Sequence, residues 1–311
     1  MYTAIVTGAS GQDGSYLCEL LQEKGYHLIK FQGDVRNYDE VYDTIKTCMD
    51  FERTEVYNLA AKIHGCSPTD TFQVNTLGIL NIMEAVKNTG MKSKYRIFQA
   101  SSSEIFADHW ETPQCEYTAR VPRNIYGISK TTADTLVDHY RKKESLYVCS
   151  GILYNHESPR RPDTYVTQKI IKGLQSGECF QIGNLESRRD WGHAKDYVKA
   201  MWLLLQQEPV ESGHHLRDII IASGKTYSVR EFIEIVAKKL NKTIEWSGEG
   251  PNEVGSIDGK VAIQVSQEFY RSDNGTLLVG NNKSIEEIGW TREYDIDSLI
   301  EEMIHPPQVK V

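Results

Sequence analysis

The first 25 residues restrict the fold more than any other part of the chain. AIVTG (residues 4–8) is a β-branched run suited to a buried strand, and DGSYLCELLQEKG (13–25) has helical spacing, with Tyr16, Leu17, Leu20 and Leu21 on one face and Gly25 as a stop. Between them, TGASGQDG sets Gly8, Gly11 and Gly14 at the strand–helix junction. Glycines there let a backbone approach a pyrophosphate, while the helix N-terminus offers free N–H groups and a partial positive charge. A glycine-rich turn with no ligand would look similar in isolation. The strand–turn–helix setting is the context that a dinucleotide site requires.

The alternation continues. HLIKF (27–31), a polar helix around 38–50, EVYNLAA (55–61), a helix near 72–89, YRIFQAS (95–101), a helix from about 124 to 143 and YVCSGILYN (147–155) follow in turn. Strands alternating with helices predict a doubly wound, Rossmann-like α/β fold with a parallel sheet covered on both faces. Right-handed crossovers then bring the strand C-terminal ends to one edge, where such sheets bind ligands. Pro159 and Pro162 punctuate NHESPRRPD, and the pattern loosens beyond it, with helices at about 166–176 and 196–207, DIIIASG (218–224) and SVREFIEIVAKKL (228–240). Ser228 and Glu231 have capping-box spacing. The expected organisation is a dinucleotide-binding domain over 1–157, to which about 186–222 return, and a smaller α/β substrate domain over 158–311.

Composition removes several classes of function. A formal net charge of −8 without any Lys/Arg block excludes a nucleic-acid or anionic-membrane partner, and Arg160–Arg161 reads as a local anion contact. The six cysteines are scattered without CxxC or zinc spacing, so no metal site is expected and the thiols fit a reducing compartment. Met1 runs directly into the first strand without a basic and apolar leader, and no apolar run is long enough to span a bilayer. The expectation is a soluble, cytoplasmic protein.

Two short stretches carry the chemistry. YGISK sets Tyr126 and Lys130 four apart, on one helical face. A phenol with an ordinary pKa near 10 is a poor base, but a nearby ammonium and an oxidised nicotinamide both stabilise phenolate. A surface Tyr/Lys pair is common on helices; the phosphate loop and parallel sheet argue for the catalytic reading. ASSSEIF (100–106) then puts Ser102 and Glu104 just past a strand facing the same crevice. Ser102 can hydrogen-bond a reacting sugar hydroxyl. Simple hydride transfer has no need of Glu104, whereas dehydration does: once a carbonyl forms, the adjacent C–H is acidic, and a carboxylate can remove it and assist loss of a β-hydroxyl.

The GxxGxxG spacing resembles the short-chain dehydrogenase/reductase superfamily. Longer stretches, including EVYNLAA, FQASSSEIF, GILYNHESPRR and GNLESRRDWGHAKDYVKAMWLLLQ, closely resemble the GDP-mannose 4,6-dehydratase family over nearly the whole chain. The resemblance implies an extended short-chain fold with bound NADP, acting in nucleotide-sugar and deoxysugar (GDP-fucose) metabolism as a hydro-lyase. It implies Ser102 (threonine in most of the family), Glu104, Tyr126 and Lys130 as the catalytic set. Tyr126 would take the C4 hydroxyl proton as hydride leaves C4, Glu104 the C5 proton, and hydride would return to C6. The cofactor contacts it implies are Gly8, Ser10, Gly11, Gln12, Asp13, Gly14, Asp34, Val35, Leu59, Ala60, Ala61, Lys130, His156 and Arg161. Those for the nucleotide sugar are Asn155, Val166, Lys169, Arg189 and Arg271; an arginine suits a diphosphate through bidentate hydrogen bonds.

The chain departs from that family between Lys24 and Tyr38, where GYHLIKFQ passes straight to GDVRN and one strand–helix unit of the family is missing. The missing basic loop helps hold the NADP 2′-phosphate in the family and joins its tetramers. Asp34 follows Gly14 by 20 residues, the spacing of an acidic residue that binds the NAD ribose, while Lys30 and Arg36 remain as phosphate partners. NADP is favoured over NAD, and a homodimer is expected, with a tetramer as the alternative. Gln168 replaces a family arginine, and Ser272, Asp273 and Asn274 replace its Pro-Thr-Glu. Trp191 reads as packing. Two competing readings stand beside the dehydratase: a 4-keto reductase or 4-epimerase, to which the shortened region also fits, and a non-catalytic dinucleotide-binding protein. Glu104 separates the first of these, since a reductase has no use for it.

Overall fold

The computed structural model describes residues 2–63, 65–208, 218–271 and 276–307. The first sequence stretch folds as strand β1 (Tyr2–Thr7), helix α1 (Gln12–Glu23) and strand β2 (His27–Lys30). There follow α2 (Tyr38–Lys46), β3 (Arg53–Asn58), α3 (Pro68–Phe72), α4 (Gly78–Asn88), β4 (Tyr95–Ala100), α5 (Ile125–Lys143) and β5 (Tyr147–Leu153). Next come β6 (Asn155–Glu157), α6 (Val166–Ser176), β7 (Phe180–Ile182), β8 (Arg188–His193), α7 (Ala194–Gln206) and β9 (Ile219–Ile221). The last part holds β10 (Thr226–Ser228), α8 (Val229–Lys239), β11 (Glu245–Ser247), β12 (Val254–Ile257), β13 (Lys260–Val265), α9 (Lys283–Glu287) and α10 (Ile296–Ile304).

Six parallel strands form the main sheet in the order β2-β1-β3-β4-β5-β9. It is doubly wound. One face is covered by α1 and α7, whose Leu17, Leu21, Met201 and Leu205 are fully buried against Val6 and Phe98. The other is covered by α2, α4 and α5 through Ile45, Ile79, Ile82 and Val137 against Ile5, Val56 and Ile97. Each such aliphatic side chain stabilises the fold by about 1.5–3 kcal/mol relative to exposure. The usual order of this fold is 3-2-1-4-5-6. The observed order lacks the outermost strand at the β2 edge, which is what the shortened stretch after β2 produces, and carries β9 as an additional strand beyond β5 at the other edge.

A second core lies between α6, α8, α10 and the sheet β11-β12-β13-β7, around Ile170, Phe232, Ile263 and Ile300. A three-stranded sheet, β10-β8-β6, carries the chain between the two. Trp191 sits 3% exposed, its ring 5.0 Å from that of Phe232.

Three local expectations are corrected. The run 147–155 is two strands: β5 ends at Leu153, Tyr154 donates its hydroxyl to Gln114 Oε1 at 2.8 Å, and Asn155 pairs with Trp191 in another sheet. An apolar run has no period that marks such a change of partner. The helix expected near 72–89 starts at Pro68 behind the Ser67 cap and includes a π-turn, Gln73–Leu77. The helix expected over 38–50 ends at Lys46. Strands β7, β8, β10, β11, β12 and β13 and helices α9 and α10 were not anticipated; the three residues of β7, β10 and β11 are too few to show alternation.

Candidate active site

The four residues singled out around ASSSEIF and YGISK line one cleft at the C-terminal edge of the main sheet, together with Asp13, Leu59, Ala61, Asn155, His156 and Arg161. A buried polar chain leads to the cleft through Ala100 and Lys130. Thr7 donates to Asn58 Oδ1 (2.8 Å), Asn58 Nδ2 to Gln99 Oε1 (2.7 Å) and Gln99 Nε2 to the Ala100 carbonyl (2.8 Å). Lys130 Nζ donates to the same carbonyl at 2.7 Å. The polar row thus crosses β1, β3 and β4 and ends on the lysine.

Ser102 caps the short 3₁₀ turn Ser103–Phe106, accepting from the Glu104 N–H at 3.3 Å. Tyr126, in the first turn of α5, has its phenol raised by burial, against which a hydrogen bond with Ser102 works. Burial pushes Lys130 the other way, down to about 8. Its Nζ lies 5.7 Å from the Tyr126 ring centre. The Glu104 carboxylate is fixed by Asn124, which donates to Oε2 at 2.9 Å while its own oxygen caps α5 through the Gly127 N–H at 2.8 Å. Sequence reading missed Asn124, although an Asn directly before a helix is a capping signal. It also missed Tyr165, which lines the cleft and stacks under the Arg161 guanidinium at 3.7 Å.

The glycine turn fits a dinucleotide phosphate. Gly8 has φ +66°, and a Cβ there would sit 2.9 Å from the Ala60 nitrogen; one on Gly14 would sit 2.2 Å from the Gly8 oxygen. Helix α1 has Gly11 at its N-cap with no side chain capping it. Among the described residues the Gln12, Asp13 and Gly14 N–H groups find no backbone acceptor, and uncapped N–H groups at a helix start are a ready anion site. Leu59 and Ala60 donate their N–H groups to Thr7 Oγ1, both at 3.1 Å, which fixes the loop facing the turn. Ser10 is exposed on that turn.

Several predicted contacts are already engaged within the protein. His156 bonds Asp13 through Nε2 (2.8 Å) and Tyr154 O through Nδ1 (2.7 Å). Burial opposes charge on both partners, but their mutual attraction outweighs it: His156 is raised and Asp13 lowered. Arg161 pairs with buried Glu157 (3.2 Å) and Arg160 with Glu19 (2.6 Å), so the basic pair is not an open anion contact. Arg36 is bidentate on Asp34 (2.6 Å to Oδ2) and reaches Asp70 at 3.4 Å; its hydrogen bond holds the exposed Asp34 carboxyl below its ordinary range. Val35 is buried against Gly78, its carbonyl accepting from Asn81.

The remaining substrate candidates are spread out. Arg189 is half-buried, donates to the Arg188 carbonyl at 2.7 Å and feels Glu104 electrostatically, while burial lowers its pKa; among the described residues no carboxylate lies within ion-pair distance. Lys169 lies in a separate cleft with Phe180, Gln181 and Phe269, its Nζ 4.8 Å from the Phe269 ring centre, and Val166 packs at the start of α6. Arg271 is exposed, its carbonyl held by Asn184. Gln168 is turned inward, donating to the Ser158 carbonyl at 3.0 Å, so it faces neither cleft. Ser272, Asp273 and Asn274 lie outside the described residues.

A doubly wound parallel sheet with a glycine turn after β1, and Ser, Tyr and Lys gathered at the end of β4, defines an extended short-chain dehydrogenase/reductase. RMD from Pseudomonas aeruginosa, complexed with NADPH, has the same fold, with a TM-score of 0.78 at 21% identity over 97% of both chains. Residues 28–303 match the model of the family described as GDP-mannose 4,6 dehydratase, and the chain belongs to that family. It is 38% identical to the human GDP-mannose 4,6 dehydratase over 341 residues, covering 97% of this chain and 90% of the relative. It is 36% identical to that of Yersinia enterocolitica, over 98% and 93%. The human alignment is longer than this chain of 311 residues, so the relative carries segments that are missing here.

Proposed function

We propose that this chain dehydrates GDP-mannose to GDP-4-keto-6-deoxy-mannose with bound NADP. The observation that carries the reading is Glu104 in the same cleft as Tyr126 and Lys130, one carboxylate more than hydride transfer uses. The glycine turn and Lys130 would hold NADP, which would supply a hydride acceptor and donor for the sugar and a positive charge near the phenol. Tyr126 takes the C4 hydroxyl proton, with Ser102 and the Lys130 ammonium stabilising the phenolate against burial. Glu104, oriented by Asn124, removes the C5 proton and delivers it to the departing C6 hydroxyl. The half-buried Arg189 guanidinium, without a carboxylate partner among the described residues, suits the diphosphate. We assign residues 1–157, with 186–222, to the cofactor and the rest of 158–311 to the nucleotide sugar.

Mass spectrometry of GDP-mannose incubated with the protein and catalytic NADP is predicted to show loss of one water with the cofactor unchanged. Glu104→Gln should lower that rate by about 10²–10⁴, the contribution of a general acid–base group. A reductase or epimerase reading, to which the shortened region also fits, instead predicts an unchanged mass with GDP-mannose and tolerance of Glu104→Gln. No helix among the described residues is long and apolar enough to cross a membrane. We place the chain as a homodimer through α3 and α5, where Phe72, Ile125 and Ile128 stay 37–42% exposed; sedimentation should give twice 35.4 kDa.

A further inference from the structure

Helix α5 carries a third polar residue in the row that begins with Tyr126 and Lys130. Asp134 follows Lys130 by four, as Lys130 follows Tyr126, so the three side chains stack along neighbouring turns. Each meets a different residue of one short stretch at the end of β4: Tyr126 meets Ser102, Lys130 meets the Ala100 carbonyl, and Asp134 Oδ2 accepts from Ser101 Oγ at 2.6 Å. Asp134 is 0% exposed and Lys130 is 2% exposed.

Structural ion pairing alone accounts poorly for Asp134. Arg120 makes its close contact with Asp218, at 2.6 Å, and reaches Asp134 only at 3.9 Å, through Nε. Arg141 also chooses Asp218, at 2.9 Å. Asp134 Oδ1 and Ser150 Oγ are both buried without a well-aligned hydrogen bond, and Ser150 is the hydroxyl that faces the carboxylate. A buried carboxylate so incompletely paired is costly. It is retained one helical turn from the buried Lys130 ammonium, beyond ion-pair contact, and the described hydrogen bond of that ammonium goes to a neutral carbonyl.

We propose that Asp134 is a positioning residue for the Tyr126–Lys130 pair: it holds Ser101, and with it the Ser102 end of β4, and supplies the buried negative charge opposite the Lys130 ammonium. The inference deepens the dehydratase reading and rests on it for the turnover assay. The groups facing Asp134 are Lys130 on its own helix, Ser101 after β4, Ser150 on β5, Asp218 before β9 and Arg120 ahead of α5, with Arg141 of the same helix paired to Asp218. Burial and the Asp218 charge push the Asp134 carboxyl up, to about 6, against Arg120, Ser101 and Ser150; it is ionised above that. Burial pushes Lys130 down to about 8, and the Asp134 anion works in the opposite direction. Removing the anion therefore makes Lys130 lose its proton at lower pH.

The test is the pH profile of kcat/KM for wild type, Asp134→Asn and Asp134→Glu. Asparagine still accepts from Ser101 but carries no charge. Its alkaline limb should move down by about one pH unit, roughly a tenfold loss on that limb, with melting temperature and circular dichroism near wild type. Glutamate keeps the charge and should leave the limb in place or move it up. A limb that stays fixed in the folded Asp134→Asn protein, or moves down in Asp134→Glu, overturns the proposal. Should Asp134→Asn not fold, the glutamate variant decides. Absence of wild-type turnover at every pH would contradict the dehydratase reading alone. The pH dependence of NADP affinity, which needs no sugar, then carries the test: its inflection should fall by the same unit in Asp134→Asn, and an unmoved inflection overturns the proposal.

Discussion

Glu104 depends on a neighbour twenty residues away. Asn124 both orients that carboxylate and caps α5, so Asn124→Ala should lower stability by about 1 kcal/mol, the usual value of a lost cap, and also lower kcat. A stability loss with full kcat would mean that the carboxylate needs no anchor. The Asp13–His156 pair titrates in a window that its two shifts define. His156 is raised, so its contribution is complete below its unfolded value of about 6.5 and is lost as pH climbs through the folded value. Asp13 is lowered, so its contribution is complete above about 3.9 and is lost as pH falls through the folded value. The melting-temperature gap between wild type and Asp13→Asn should be widest between about pH 4 and 6.5 and narrow by pH 9; a gap constant with pH contradicts a charged pair. Spacing along one helix made Tyr126 and Lys130 legible together. The links from Asn124 to Glu104 and from Asp134 to Ser101 join segments 20 and 33 residues apart, and nothing in local sequence records them.

At the level of elements, the glycine turn is a steric requirement as much as a phosphate cradle. A methyl on Gly14 would lie 2.2 Å from the Gly8 oxygen and 2.7 Å from Ala9 Cα, both backbone. Gly14→Ala should therefore separate α1 from β1, giving a protein that is insoluble or melts well below wild type; a soluble variant of unchanged melting temperature contradicts the packing. Long periodic helices and the buried strands of the main sheet were readable because their apolar spacing repeats several times. The Ser228 cap was readable too, and the structure shows both of its reciprocal bonds with Glu231. The π-turn at Gln73–Leu77 was not. It rotates Asn75 inward, where its Nδ2 bonds Ser129 Oγ and the Lys62 carbonyl and its Oδ1 accepts from the Lys62 N–H. One extra residue in a turn leaves the hydrophobic period almost unchanged.

On the scale of the whole molecule, the cleft is made jointly by β4 and α5 of the main sheet and by β6 and the chain leading into α6. A bound cofactor therefore ties the two cores together and should raise a single melting transition by several degrees at about 100 times its Kd, near 2.7 kcal/mol. Two separate transitions, with only one of them shifted, would contradict that arrangement. The missing edge strand was legible as a gap between Lys24 and Tyr38, and the sheet order displays it. The path of the chain among three sheets was not, because strands of three residues acquire partners only in the folded molecule. The role proposed for Glu104, a carboxylate completing an elimination in a hydride-transfer site, is tested most directly with GDP-mannose carrying deuterium at C4. The prediction is a product lighter by one water, with the deuterium recovered at C6 and C5 exchanged with solvent. Deuterium lost to free cofactor, or a C5 hydrogen retained in a product of unchanged mass, would contradict it.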